Sequence, residues 1–123
     1  MKQTIQEIEI NGVTYVPKSE ATATAPSIDG LPLVIIRASS SGVHYGYLKS
    51  RTGDEVELVN ARRLWYWSGA ASLSQLAVDG TSKPKDCKFS VITPAITVLG
   101  VCEVIPVTSV AQKVIDGVQQ WRS

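Results

Sequence analysis

Apolar and polar positions alternate along most of the chain, and the breaks in that alternation fall at turn-forming residues. LVIIRA reads as a buried strand, SSSG as a turn, VHYGYLKS as an alternating strand, RTGD as a turn and EVELVNARRLWYW as a long alternating strand. These segments predict a three-stranded antiparallel meander. Ser72-Leu73-Ser74-Gln75 has the spacing of a capping box and opens a short helix that Gly80 closes. TSKPKDCKFS reads as a basic loop, and AITVLGVCEVIPV as one strand or two short ones broken at Gly100. VTSVAQKVIDGVQQW carries Val110, Val114, Ile115 and Val118 at helical spacing. Ahead of all this, IQEIEINGVTYVP alternates on both sides of Asn11-Gly12, the pair a type I′ hairpin turn needs. KSEATATAPSIDGLP has neither period. The expectation is a small β-hairpin over 1–17, a tether over 18–32 and an α+β domain over 33–123, with a twisted antiparallel sheet and two helices.

A chain of 123 residues with 44% hydrophobic content has room for one core and not for two. The net charge of +1, from twelve basic against eleven acidic residues, gives no global reason to expect nucleic acid or a membrane surface as partner. The longest apolar runs fall far short of a bilayer span, and the N-terminus MKQTIQEIEI lacks an apolar leader core. A cytoplasmic protein is expected. Cys87 and Cys102 have no CxxC spacing, and they read as two buried, reduced packing thiols rather than a bridge.

Catalytic patterns are missing. The one histidine, His44, cannot build a multi-histidine zinc site, and no Cys/His cluster has ligand spacing. His44 sits in an alternating strand, where a surface or satisfied-core role is commoner than a general base. Asp54, Glu55 and Glu57 lie at a turn and along a strand, as solvated carboxylates do. There is no nucleophile elbow, P-loop or dinucleotide fingerprint. A non-enzyme is expected, with no cofactor and no metal.

The stretch ARRLWYWSG raises a different possibility. Continuing the period from Val56 and Leu58 puts Arg62, Leu64 and Tyr66 on one face and Arg63, Trp65 and Trp67 on the other. Each face then mixes cation and ring. A core strand tolerates a guanidinium only with partners, because an unpaired buried charge is prohibitively costly. One reading is therefore structural, with Arg63 stacked on tryptophan at the surface while the rings cover the helices. The other is a site: rings stack on bases, guanidinium forks grip phosphates, and the turn Ser68-Gly69-Ala70 enters a helix whose free N–H groups attract anions. Such a set suits a nucleotide. The basic loop, with Lys83, Lys85, Lys88 and Phe89, supplies a second candidate wall.

From Leu33 to Pro106, the segments VIIRASSSG, NARRLWYW, SGAASLSQLA and KPKDCKF, followed by a hydrophobic strand ending in EVIP, resemble a family of small phage and prophage proteins that includes the first class of Thoeris anti-defence sponges. The resemblance implies a phage protein of the host bacterial cytoplasm that sequesters cyclic ADP-ribose isomers made by TIR-domain enzymes, without cleaving them. Some relatives also hold cyclic oligonucleotides of the CBASS pathway. It further implies a homo-oligomer built from dimers with ligand sites at protomer boundaries. Carried onto this chain, the ligand contacts are Arg62, Arg63, Trp65, Tyr66 and Trp67, with backbone donors at Ser68, Gly69 and Ala70. Arg37, His44, Phe89 and Arg122 are added as an imidazole, a ring and two arginines near expected strand ends. The hairpin and tether depart from the compact form of that family.

Two alternatives stand beside this reading. Arginines interleaved with aromatics also describe a single-strand stacking platform. Residues 33–90, however, carry eight Lys/Arg and five Asp/Glu, a surplus of three that is thin for a polyphosphate track. The other alternative is a phage structural or assembly protein whose aromatics form an interface.

Overall fold

The computed structural model describes residues 23–123, so the hairpin expected at 1–17 lies outside the described residues. Six strands form one antiparallel sheet: β1 (Leu33–Ala38), β2 (Gly42–Thr52), β3 (Glu55–Tyr66), β4 (Lys88–Phe89), β5 (Thr93–Val98) and β6 (Val101–Pro106). Two helices complete the α+β fold, α1 (Leu73–Asp79) and α2 (Ser109–Asp116). The predicted meander is there, as β1, β2 and β3 pair in sequence order. The segment after it is two strands, as Gly100 allowed. Within the expected basic loop, Pro84–Asp86 make a single 3₁₀ turn and Lys88–Phe89 add the short strand β4 to the edge of β3. A two-residue strand is too short for a periodicity to register it.

The sheet cannot be flat. β5 pairs with β3 and β6 with β1, which puts them on opposite edges of the order β5-β3-β2-β1-β6. Four strand spacings would separate them by about 19 Å in a flat sheet. Yet only Leu99 and Gly100 join Val98 to Val101, a link that reaches about 11 Å at full stretch. The sheet therefore curls, and it stays open because no ladder joins β5 to β6 among the described residues. Val34, Ile36, Ala38, Val56, Leu58, Ala61, Val98 and Val101 fill the inside of the curl. Leu33, Ile35, Tyr45, Tyr47 and Leu64 face the other way, where Leu76 and Ala77 of α1 and Ala111 and Ile115 of α2 cover them.

β3 changes faces partway along. Val56 and Leu58 point into the curl, while Leu64 points to the helices although it has the same parity. Tyr45 pairs with Arg62 and Tyr47 with Val59, so Gly46 stands opposite both Asn60 and Ala61. Asn60 takes a left-handed φ of 49°, the signature of a bulge that shifts the alternation by one. Glycine relieves crowding across from it: a Cβ on Gly46 would lie 3.0 Å from the Ala61 Cα, so a larger residue would need the neighbouring strand to give way. The single face predicted for Val56, Leu58, Arg62, Leu64 and Tyr66 is therefore two faces.

Part of the expected tether is built into this core. Ala25 is buried and its N–H donates to the Val107 carbonyl at 2.9 Å, and the Ser109 N–H donates to the Ala23 carbonyl at 2.8 Å. The thiols divide as well: both are free, Cys87 is buried as expected, and Cys102 is exposed on β6 rather than packed.

Candidate ligand-binding surface

Beyond the bulge, the adjacent arginines leave β3 by opposite faces. Arg62 points toward the helices and is 3% exposed. Its Nε donates to the Ser90 carbonyl at 3.1 Å; Nη1 donates to the Ile115 and Val118 carbonyls and Nη2 to that of Phe89, each at 3.2 Å. The guanidinium also lies 5.4 Å from the Phe89 ring centroid. Ile115 and Val118 sit at the C-terminal end of α2, where the helix dipole is negative and favours a cation. Burial pulls the Arg62 guanidinium below its ordinary range, and the fields of Tyr45 and Asp116 oppose that shift. Tyr45 donates its hydroxyl to Asp116 Oδ1 at 2.7 Å, which ties β2 to the same helix end. Arg62 and Phe89, both expected to touch a ligand, are interior supports instead.

Arg63 is exposed. Its backbone N–H donates to Ser90 Oγ at 2.8 Å, and its guanidinium belongs to no ion pair among the described residues. Two positions on, Trp65 is 60% exposed and stacks on Trp121, with ring centroids 6.4 Å apart and planes 15° from parallel. Trp121 is itself 49% exposed, and Lys88 Nζ lies 5.4 Å from its ring centroid. The tail is held there because the Trp121 N–H donates to the Phe89 carbonyl at 2.8 Å. Tyr66, 52% exposed, stands opposite Lys88 in the β3–β4 ladder, and Trp67 is half-buried against the helix-side core. A hollow of about 270 Å³ beside Trp65 is lined by Ser41, Val43, Arg63 and Trp67, and a groove of about 650 Å³ beside Trp121 by Lys85, Val118 and Arg122. Together these make one face on which stacked indoles lie between cations.

The remaining sequence candidates are placed elsewhere or otherwise engaged. Arg122 borders the groove, its Nη2 donating to Gln120 Oε1 at 3.3 Å. Arg37 is paired with Glu103 at 3.1 Å on the β1–β6 ladder. His44 is 1% exposed, and burial, reinforced by Arg63, holds its imidazole below the ordinary range. The Ser68 carbonyl accepts from Thr81 Oγ1, and the Gly69 carbonyl accepts the Ser82 N–H at 3.1 Å. This backbone approach requires glycine, since a Cβ at Gly69 would lie 2.6 Å from the Lys83 nitrogen. At the mouth of α1 Ser72 is the N-cap, its Oγ accepting the Gln75 N–H at 3.1 Å, and the Gln75 side chain reaches back one residue beyond a standard capping box, its Oε1 accepting the Ala71 N–H at 2.6 Å. Ser68 and Gly69 thus dock the 81–83 loop, Ala70 packs against the helix-side core, and the cap itself takes up donors at the helix start.

Trp121 is the functional candidate that sequence reasoning missed. Its position within an apparently helical run concealed it, but α2 ends at Asp116 and the tail turns back along β4. No helix among the described residues is long and apolar enough to cross a membrane.

No curated protein and no solved structure matches the chain. One family match spans residues 31–115, from just before β1 into α2; it takes in Arg63, Trp65 and Lys88 and stops short of Trp121. By that match the chain belongs to the family of a domain of unknown function, DUF6948.

Proposed function

We propose that this protein is a non-catalytic binder of a nucleotide-class ligand, held on the face formed by Arg63, Trp65, Trp121 and Lys88. The observation that carries this reading is the exposed Trp65–Trp121 stack, flanked by cations that have no carboxylate partner among the described residues. Exposed indoles offer a base a stacking surface, and unpaired cations offer a phosphate its counter-charge. The narrower form of the proposal follows the sequence resemblance: a homo-oligomeric phage sponge in the bacterial cytoplasm that captures cyclic ADP-ribose isomers, or cyclic oligonucleotides, intact.

Calorimetry with cyclic ADP-ribose isomers, cyclic trinucleotides and short single-stranded oligonucleotides tests this. Binding of a cyclic ligand is expected, with Arg63→Ala weakening it by roughly 10- to 100-fold, the range of a lost charge-assisted contact. Trp65→Ala is a second usable probe, because an exposed ring can be truncated without opening a core cavity. Ligand released by heat should be chemically unchanged. Binding of oligonucleotides alone would move the assignment to a single-strand platform. Silence throughout would leave the aromatic face as an assembly surface, and a cleaved product would mean an enzyme.

A further inference from the structure

Next to Arg63, on the curl side of the sheet, lies a second hollow of about 250 Å³ lined by His44, Ala61, Arg63, Ser90, Thr93 and Ile96. His44 and Arg63 are direct cross-strand partners in the β2–β3 ladder. His44 Nε2 lies 3.2 Å from the Ser41 carbonyl. A carbonyl only accepts, so Nε2 carries the ring proton and Nδ1 of the neutral ring is a bare acceptor. Nδ1 is buried and has no hydrogen-bond partner among the described residues. The hydroxyls that line the hollow are engaged elsewhere: Ser90 Oγ donates to the Val91 carbonyl at 2.9 Å and Thr93 Oγ1 to the Ala61 carbonyl at 3.1 Å. Ser41 Oγ, also buried and without a hydrogen-bond partner among the described residues, does not line the hollow and makes no hydrogen bond to Nδ1. An unmet buried acceptor is costly, and a native site that keeps one calls for an explanation.

We infer that this hollow receives an oxyanion that carries one acidic O–H, such as hydrogenphosphate or the terminal phosphate of a monoester. The two functional groups in the hollow ask for opposite things of one ligand. The Arg63 guanidinium has donors and a charge, and takes a negative oxygen. Nδ1 of His44 has a lone pair, and takes a proton. A phosphate monoester meets both at and below its second ionisation, which falls at about 6: there it is negatively charged and still keeps an O–H, which it loses as the pH rises further. A phosphodiester and sulfate are negative but have no proton to give, and an ionised carboxylate has none either. Hydrogencarbonate has both, so the shared chemistry is the singly protonated oxyanion. The site is separate from the indole stack, although Arg63 borders both.

His44 is the chain's single histidine, so its imidazole nitrogens report on the site without overlap. Nitrogen-15 spectra of the intact protein are recorded at constant ionic strength during titration with inorganic phosphate, sulfate, dimethyl phosphate, hydrogencarbonate and a nucleoside 5′-monophosphate. Phosphate and the monophosphate are expected to move Nδ1 saturably, at least roughly tenfold more tightly than sulfate or dimethyl phosphate. Hydrogencarbonate binding as tightly as phosphate would make the smaller oxyanion the ligand and retain the site. Arg63→Ala should abolish the phosphate response with the His44 signal still in place to read it. Trp65→Ala should leave the response intact, which separates this site from the nucleotide surface. Equal shifts with phosphate and sulfate, or no Nδ1 response to any of the five, would overturn the inference.

Discussion

Arg62 and Arg63 are chemically identical neighbours with opposite roles, and the difference lies entirely in what each guanidinium meets. Arg62 meets four backbone carbonyls, two of them at the end of α2. Removing it strands those acceptors in the core and detaches the helix end from β3. Arg62→Met should therefore cost roughly 3 to 5 kcal/mol in urea denaturation, the range for breaking a buried charged cluster. Arg63→Met, on a solvated side chain, should stay within about 0.5 kcal/mol. Comparable costs at the two positions would contradict the assignment of one to the core and the other to a surface. The sequence marked both as unusual, since a strand seldom pairs cations with rings. It could not rank them, because the carbonyls that claim Arg62 come from residues 27 to 56 positions away.

At the scale of elements, one residue sets which face the aromatic run presents. The bulge at Asn60 turns Arg62 and Leu64 toward the helices and leaves Arg63 and Trp65 on the side of Ala61 and the curl. Asparagine tolerates the left-handed backbone there, and a β-branched residue does not. Asn60→Val should lower stability by about 1 to 2 kcal/mol in thermal unfolding, while Asn60→Gly should be close to neutral. If valine is tolerated as well as glycine, the left-handed turn is not a constraint on β3. The cap of α1 was readable from four consecutive residues because both partners of a cap are local. The bulge was not, because it is defined by Asn60 and Ala61 together facing one residue, Gly46, on the neighbouring strand.

For the whole molecule, the curl explains why residues outside the sheet matter to it. Ala23 to Ala25 lie along the segment that links β6 to α2, so they help close the helix-side core. A chain beginning at Leu31 should be less stable than one beginning at Ala23 by about 1 to 3 kcal/mol, from the lost hydrogen bonds to Val107 and Ser109 and the removal of buried Ala25 from the core. Matching denaturation midpoints for the two would mean that this stretch is a tether after all.

The sequence by itself determined the α+β class, the meander of β1, β2 and β3, and the capped start of α1. Each of these follows from alternation, turn residues or caps, which are properties of neighbours along the chain. It also marked the region of the aromatic face. The tertiary structure alone decided which arginine is free, that Trp121 completes the stack on Trp65, and that His44 lies buried beside Arg63 with an acceptor unmet. Those outcomes depend on contacts between distant segments: the C-terminal tail folding back along β4, the end of α2 reaching β3, and β5 crossing to the far edge of the sheet. A pattern of period two records which way a side chain leaves its own strand, and carries no information about what waits on that side.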